Sequence, residues 1–235
     1  MDLAHGLEQC RTFINAHLQV AGQGLSSAEQ ARRWRAVTMS RQTGSGAHIV
    51  AEKLATFLQT RNPKEARPWT VFDRNLVEKV LEDHNLPQRL ARYMPEDKVS
   101  EIADTMDELF DLHPPSWTLV RQTTDTILHL VELGNVIVIG RGATVITGKL
   151  EHVFHVRFVG SLEKRVAHIQ DLDRLSKQAA LDLIRREERG RKRYLKKHFH
   201  ADIEDPLQYH LVINTDLVPY ENAARIIADA MLECA

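Results

Sequence analysis

The chain has 235 residues, 43% of them hydrophobic, which is enough to bury the core of one large domain. Its formal net charge of -1 gives the whole molecule no electrostatic preference for nucleic acid or for an anionic membrane. The two cysteines form no CxxC pair, which is typical of a reducing compartment, and no apolar run reaches the roughly 18 residues of a membrane span. We therefore expect a cytoplasmic protein without a membrane segment.

Five short apolar or β-branched runs are predicted to be strands. They are Ala36–Ser40, Thr70–Phe72, Val136–Gly140, Val153–Val159 and His210–Asn214. Segments with helical periodicity separate them, and this alternation favours a parallel sheet with helices on both faces. The unbroken β-branched run in the third of these segments predicts a strand buried on both faces, at the centre of the sheet.

Helical periodicity predicts the segments between the strands. The predicted helices are Gly46–Leu58, Asn75–Glu82, Trp117–Leu133, a helix from Leu162 capped by Ser161, Lys177–Lys196 and Tyr220–Leu232. From His84 to about His113 prolines interrupt the pattern, which indicates an inserted helical subdomain. Residues 1–34 are predicted to be a helical extension of the main domain, which covers 35–235.

The segment after the first strand has the order of a phosphate-binding loop: strand, glycine loop, helix. Gly44 and Gly46 allow successive backbone N–H groups and the helix N-terminus to converge on an anion. Against the pattern GxxxxGK[ST], however, Arg41 replaces the first glycine, Ala47 the lysine and His48 the hydroxyl residue. The cation that reaches the outer phosphates is therefore missing from its usual place.

This loop supplies most of the candidate phosphate-binding residues. They are Arg41, Thr43, Gly44, Ser45, Gly46, Ala47 and His48. Thr43 and Ser45 are the nearest candidates for the hydroxyl that positions magnesium. Alternatively, the Gly-Ser-Gly run is a simple turn into a helix.

A basic segment, residues 185–197, holds eight basic and two acidic side chains, a formal charge of +6. Arg186, Arg189 and Arg193 recur at helical spacing, so they share one face and are candidate catalytic residues that contact transferring phosphates. The alternative is a solvated helix stabilised by Glu–Arg pairs. A nucleic-acid interface is disfavoured because the whole chain is nearly neutral and few aromatic residues interleave with the basic ones.

Three further residues are placed at the carboxyl ends of strands, where open parallel sheets bind ligands. Arg141 follows the third strand, and Asp73 and Arg74 follow the second. We predict that they bind an acceptor phosphate, although Asp73 also suits the N-cap of the next helix. The 12 histidines show no zinc-site spacing, so the sequence assigns no metal ligand.

Four stretches together resemble the cytidylate kinase-like family of P-loop nucleoside monophosphate kinases. They are 38–46, 71–74, 138–143 and the segment from Asp205-Pro206 to Ile213-Asn214-Thr215. The resemblance implies a P-loop NTPase-like five-stranded parallel sheet with helices on both faces. It further implies a helical acceptor-binding insertion at 74–125 and an arginine-rich lid at 174–200.

The same resemblance implies the activity. We expect ATP-dependent phosphoryl transfer, with Mg²⁺, to a nucleoside monophosphate, with CMP or dCMP first. The missing loop lysine keeps open a second hypothesis, a nucleotide sensor or interaction module that has lost turnover. Nucleotides are the expected partners, and nothing in the sequence specifies a homo-oligomer.

Overall fold

The computed structural model describes residues 12–13, 15–16, 34–61, 67–73, 102, 105–106 and 118–233. Its strands are β1 (Ala36–Arg41), β2 (Thr70–Phe72), β3 (Val136–Ile139), β4 (Val153–Val159) and β5 (Leu211–Asn214). They form one parallel five-stranded sheet in the order β2-β3-β1-β4-β5. The predicted α/β fold class and all five predicted strands are confirmed.

Helices connect these strands. They are α1 (Ala47–Arg61), α2 (Thr118–Leu133), α3 (Ala143–Ile146), α4 (Leu162–Asp173), α5 (Lys177–Phe199) and α6 (Tyr220–Glu233). Ser161 caps α4 by accepting a hydrogen bond from the backbone N–H of Lys164, as predicted. The predicted helix at 75–82 and the helical insertion at 84–113 lie outside the described residues, apart from 102 and 105–106. No helix among the described residues is long and apolar enough to cross a membrane.

The middle of the sheet is β1, so the prediction that the third strand is central is wrong. All four residues of β3 are buried, as its β-branched run predicted, but β3 lies between β2 and β1. The polar residues Thr38 and Ser40 concealed the central position of β1, because a fully buried strand is expected to be apolar. Both are nevertheless almost completely buried.

Alternate residues of the strands face two separate cores. On one face, Val37 and Met39 of β1 pack with α1 and α6. On the other face, Ala36 packs with α2 and α3, together with Phe72 of β2. Phe13, from the predicted N-terminal extension, is fully buried here, with its ring edge-on to Phe72 at 5.2 Å. The sheet is therefore covered on both faces, and its carboxyl edge carries the connecting loops.

A polar network lies within the second core. His155 Nδ1 is 2.7 Å from Thr38 Oγ1, and that hydroxyl is 3.1 Å from Thr144 Oγ1. Burial, reinforced by the neighbouring His210, lowers the pKa of His155 to about 4. The imidazole is therefore neutral at physiological pH, and the network links β1, β4 and α3 without a buried charge.

We predict that the network makes stability depend on pH. Between pH 6.5 and about 4 the unfolded chain takes up a proton at His155 that the folded chain does not, so stability falls as pH falls through this window. The loss approaches about 1.4 kcal/mol per pH unit within the window. Urea titrations of the wild type and His155→Gln across this range measure it. Identical pH slopes in the two proteins would contradict the prediction.

Candidate functional site

The glycine loop connects β1 to α1 as a tight turn. Gly44 and Gly46 have φ values of +83° and +78°, which favour glycine, and the Ser45 hydroxyl donates to the carbonyl of Gln42 at 2.8 Å. A Cβ on Gly46 would overlap the ring of Tyr220. The loop is therefore held against α6, and the Ser45 hydroxyl is engaged inside the turn.

Side chains of α4 and α5 lie directly on this loop. The backbone N–H of Thr43 donates to Glu188 Oε1 at 3.3 Å, and its hydroxyl donates to Glu187 Oε2 at 3.2 Å. Arg191 donates to the Thr43 hydroxyl and, at 3.0 Å, to Glu187. Arg165 donates from one nitrogen to Glu188 at 2.6 Å and to the Thr43 carbonyl at 3.1 Å. Two arginines and two glutamates thus surround Thr43.

Beside the loop lies a cavity of about 490 Å³ between the carboxyl ends of β1 and β3 and the helix α5. Its lining includes four arginines: Arg41, Arg141, Arg186 and Arg191. Glu187 is the carboxylate among the described lining residues, and Tyr194, Leu195 and Tyr209 add apolar and aromatic surface. The cavity therefore combines excess positive charge with an aromatic wall, which suits an organic anion.

In this cavity the positive charges of the arginines repel one another. Burial, followed by the charge of Arg191, lowers the pKa of Arg41 to about 10, and Arg141 contributes in the same direction. The carboxylates of Glu187 and Asp73 oppose the shift. Arg41 remains protonated at neutral pH, so an anion bound in this cavity would offset the repulsion between these guanidinium groups.

The backbone at the end of β3 is strained in a way that presents Arg141 to this cavity. Arg141 has φ +54° between Gly140 and Gly142, which also have positive φ values. A non-glycine residue costs roughly 1–2 kcal/mol in the left-handed region, and such strain is concentrated at functional sites. A Cβ on Gly140 would overlap the guanidinium of Arg41, so glycine here permits the two arginines to approach.

Residues 36–217 match the model of the cytidylate kinase-like family. The chain belongs to the cytidylate kinase-like family. The match covers the loop, the cavity and α5, so the sequence resemblance is confirmed, and nucleotide kinase-like binding follows at the level of the family.

Individual relatives are more distant. The chain is similar to the crystal structure of an uncharacterised protein from Eubacterium ventriosum, with a TM-score of 0.62 and 17% identity over 85% of this chain and 98% of that one. Shikimate kinase from Bacteroides thetaiotaomicron matches with a TM-score of 0.43 and 11% identity, over 85% of this chain and 97% of that one. A uronate isomerase from Corynebacterium glutamicum is 29% identical over 111 residues, which are 47% of this chain. This chain spans only about a fifth (21%) of that isomerase's length.

Within this family frame, the structure separates the three predicted catalytic arginines. All three side chains are exposed, but Arg186 lines the cavity, whereas Arg189 and Arg193 are not among its lining residues. Helical spacing placed all three arginines on one face of α5. The face that meets the cavity carries Glu187 and Arg191 beside Arg186. A catalytic role for Arg189 and Arg193 thus remains a prediction from periodicity.

The other predicted residues occupy different surroundings. The loop buries Thr43 and Ser45, and Ala47 is buried at the start of α1. His48 is partly exposed on α1, with its Nε2 3.9 Å from Glu52 Oε1. Asp73 directly follows β2 and lies near enough to Arg41 for its carboxylate to oppose the lowering of the Arg41 pKa. Arg74 lies outside the described residues. Among the described residues, no group of three His, Cys, Asp or Glu side chains could hold a metal ion.

Sequence reasoning missed the residues that lie closest to the loop. Arg165, on α4, is 6% exposed and carries no motif that distinguishes it from a surface arginine. Arg191 and Glu187 are an i, i+4 pair, and that spacing was a usable signal, but it is equally typical of a solvated helix. Only the packing of α4 and α5 on the loop identifies them.

Two glycines of the site predict opposite effects of the same substitution. A Cβ on Gly44 would lie 2.5 Å from the carbonyl oxygen of Arg165, whereas Gly190, inside α5, has no atom within 4 Å of a built Cβ. We expect Gly44→Ala to destabilise by roughly 2–4 kcal/mol and Gly190→Ala to stabilise by about 0.5–1 kcal/mol. Urea denaturation of both variants measures the effects. A stability loss in Gly190→Ala would contradict the open space beside it.

Proposed function

We propose that this chain transfers the γ-phosphoryl group of ATP to a nucleoside monophosphate, with CMP or dCMP as the first candidates. The cavity beside the glycine loop carries the proposal, because Arg41, Arg141, Arg186 and Arg191 converge there. Such a cluster suits the combined negative charge of a phosphoryl donor and acceptor. Membership of the cytidylate kinase-like family supports the same reaction class.

The roles divide along the sheet edge. On the donor side, the loop from Thr43 to His48 offers backbone N–H groups and the N-terminus of α1 to the ATP phosphates. On the acceptor side, Arg141 faces the cavity, and Asp73 and Arg74 follow the neighbouring strand. The attacking group is a phosphate oxygen, so the reaction requires positioning and charge neutralisation rather than a strong base.

The Thr43 hydroxyl is the oxygen of the loop that could help to hold Mg²⁺, because Mg²⁺ is commonly held by one or two protein oxygens together with substrate phosphates. The ion would neutralise charge on the transferring group. Thr43 would then orient the donor phosphates, while Arg186 approaches them from α5.

A second candidate function is nucleotide sensing without turnover, and it has a specific observation in its favour. Ala47 supplies no cation at the lysine position, and Glu188 accepts a hydrogen bond from the backbone N–H of Thr43. A module of this kind would bind nucleotide and respond by moving α5, without transferring phosphate.

A coupled ATP-consumption assay with Mg²⁺ and a panel of nucleoside monophosphates tests the proposal. We expect consumption that depends on the acceptor and is fastest with CMP or dCMP. A thermal-shift titration with the same ligands runs beside it, because binding raises the melting temperature whether or not turnover follows. Stabilisation without turnover would support the sensor, and no response to any nucleotide would contradict both functions.

Substitutions along α5 predict which arginine acts. Arg186→Gln should lower turnover at least about tenfold with little change in stability, because Arg186 lines the cavity. Arg185→Gln is the matched control, since Arg185 is the equally exposed neighbour on the same helix and does not line the cavity. Steady-state rates of both variants, with melting temperatures, provide the comparison.

Arg189→Gln and Arg193→Gln extend the same series. If helical spacing identifies the catalytic face, these variants lose as much activity as Arg186→Gln, and α5 must rotate on binding. If α5 keeps its orientation when nucleotide binds, these variants retain as much activity as Arg185→Gln. Equal turnover in all four variants and the wild type would exclude Arg186, Arg189 and Arg193 from the reaction.

A further inference from the structure

The hydrogen bonds between the loop and α5 have the pattern of a bound phosphate. In a loop of this kind, backbone N–H groups donate to phosphate oxygens. Here the N–H of Thr43 donates to a carboxylate oxygen of Glu188 at 3.3 Å. A second carboxylate oxygen, from Glu187, accepts from the Thr43 hydroxyl at 3.2 Å. Two side-chain carboxylates therefore accept hydrogen bonds where the proposed donor phosphates would accept them.

Each carboxylate also has an arginine partner. Arg165 Nη1 is 2.6 Å from Glu188 Oε1, and Arg191 Nη1 is 3.0 Å from Glu187 Oε2. A guanidinium fork binds carboxylate and phosphate with the same planar geometry. Both arginines could therefore exchange a carboxylate for a phosphate oxygen without moving far.

Arg165 is held in place, whereas the two glutamates are free to move away from the loop. Arg165 is nearly fully buried and also donates to the carbonyls of Thr43 and Gly160, at 3.1 and 2.9 Å. It is therefore a fixed part of the loop's surroundings. The Glu187 and Glu188 side chains are 41% and 29% exposed, so either carboxylate can turn into water without burying its charge. The exchange requires the glutamates, not Arg165, to leave.

We propose that Thr43, Arg165 and Arg191 form a polyphosphate subsite, and that Glu187 and Glu188 occupy it until the polyphosphate of a nucleotide displaces them. The inference rests on the proposed nucleotide function for the identity of the ligand. Arg165 and Arg191 supply the positive charge that Ala47 cannot supply at the lysine position. The helix α5 thereby carries both Arg191, which would bind the ligand, and the carboxylates of Glu187 and Glu188, which would compete with it.

Isothermal titration with tripolyphosphate, and separately with ATP and Mg²⁺, tests the exchange. The variants are Glu188→Gln and, as matched control, Glu204→Gln, which removes the same charge from an exposed pair with Lys192 on α5. We expect Glu188→Gln to bind tripolyphosphate roughly tenfold tighter than the wild type, because a charge-assisted competing hydrogen bond becomes a neutral one. The control should stay within about twofold of the wild type.

Two further variants guard against a folding effect at position 188. Glu187→Gln should shift affinity in the same direction, because Arg191 loses its competing carboxylate. Arg191→Gln should weaken tripolyphosphate binding roughly tenfold, because the subsite loses a charged donor. Hydrogen exchange of ligand-free α5 gives a readout without ligand: it should rise in Glu188→Gln relative to Glu204→Gln and fall again with tripolyphosphate.

The outcomes distinguish this inference from the proposed reaction. If Glu187→Gln and Glu188→Gln both bind tripolyphosphate no more tightly than the Glu204→Gln control, the exchange is overturned, even if the wild type turns over ATP. Tighter binding in Glu188→Gln with no acceptor-dependent turnover in any variant supports the subsite and contradicts the phosphotransferase. If tripolyphosphate and ATP bind to none of the proteins, both proposals are overturned.

Discussion

The register between β1 and β4 is the constraint on which the rest of the structure depends. It pairs Thr38 with His155 and Ser40 with Arg157, so that the polar residues of both strands lie on one face of the sheet. Arg157 donates to the Ser40 hydroxyl at 2.8 Å, directly below the carboxyl edge. A slip of one residue would move these groups into the apolar core on the other face, which makes this register strongly specified.

The same polar column leads to the site. Ser40 also lies 3.3 Å from the hydroxyl of Tyr209, whose ring receives the guanidinium of Arg157 at 5.7 Å. Ser40, Tyr209 and the following Arg41 all line the cavity. The central strand therefore sets the floor of the cavity, and its last residue supplies one of the cavity's cations. A central strand composed only of β-branched residues would hold the sheet together but would leave this floor apolar.

The sequence predicted the elements better than it predicted their orientation. Strand periodicity and β-branched runs located every strand because burial on two faces leaves a local signature. The short helix α3 has only four residues, too few to show a helical period. The polar residues of β1 concealed the central position of that strand. Element type is a local property, whereas strand order is set by contacts between distant segments.

The candidate site shows the same division. Glycines and arginines at strand ends identified the loop, Arg41 and Arg141 because position in an open sheet predicts function. The face of α5 that meets the cavity was predicted from arginine spacing alone, and that criterion selected Arg189 and Arg193 over Arg191. Every arginine in a dense basic segment has a neighbour at helical spacing, so periodicity could not choose among them. Only the contact of Thr43 with α5 determines the rotation of the helix.

The balance of charge supports the proposal that a loop without its lysine binds an anion. Four guanidiniums line the cavity, and burial, followed by the charge of Arg191, lowers the pKa of Arg41 to about 10. Arg165 and Arg191 already donate to Thr43 of the loop, so a lysine at position 47 would add a further cation to the same segment. The substitution by alanine is therefore consistent with a transfer of the cationic role from the loop to the helices that pack on it. Since one of those helices, α5, also carries the opposing carboxylates, the proposed anion binding and the position of α5 would form a single equilibrium.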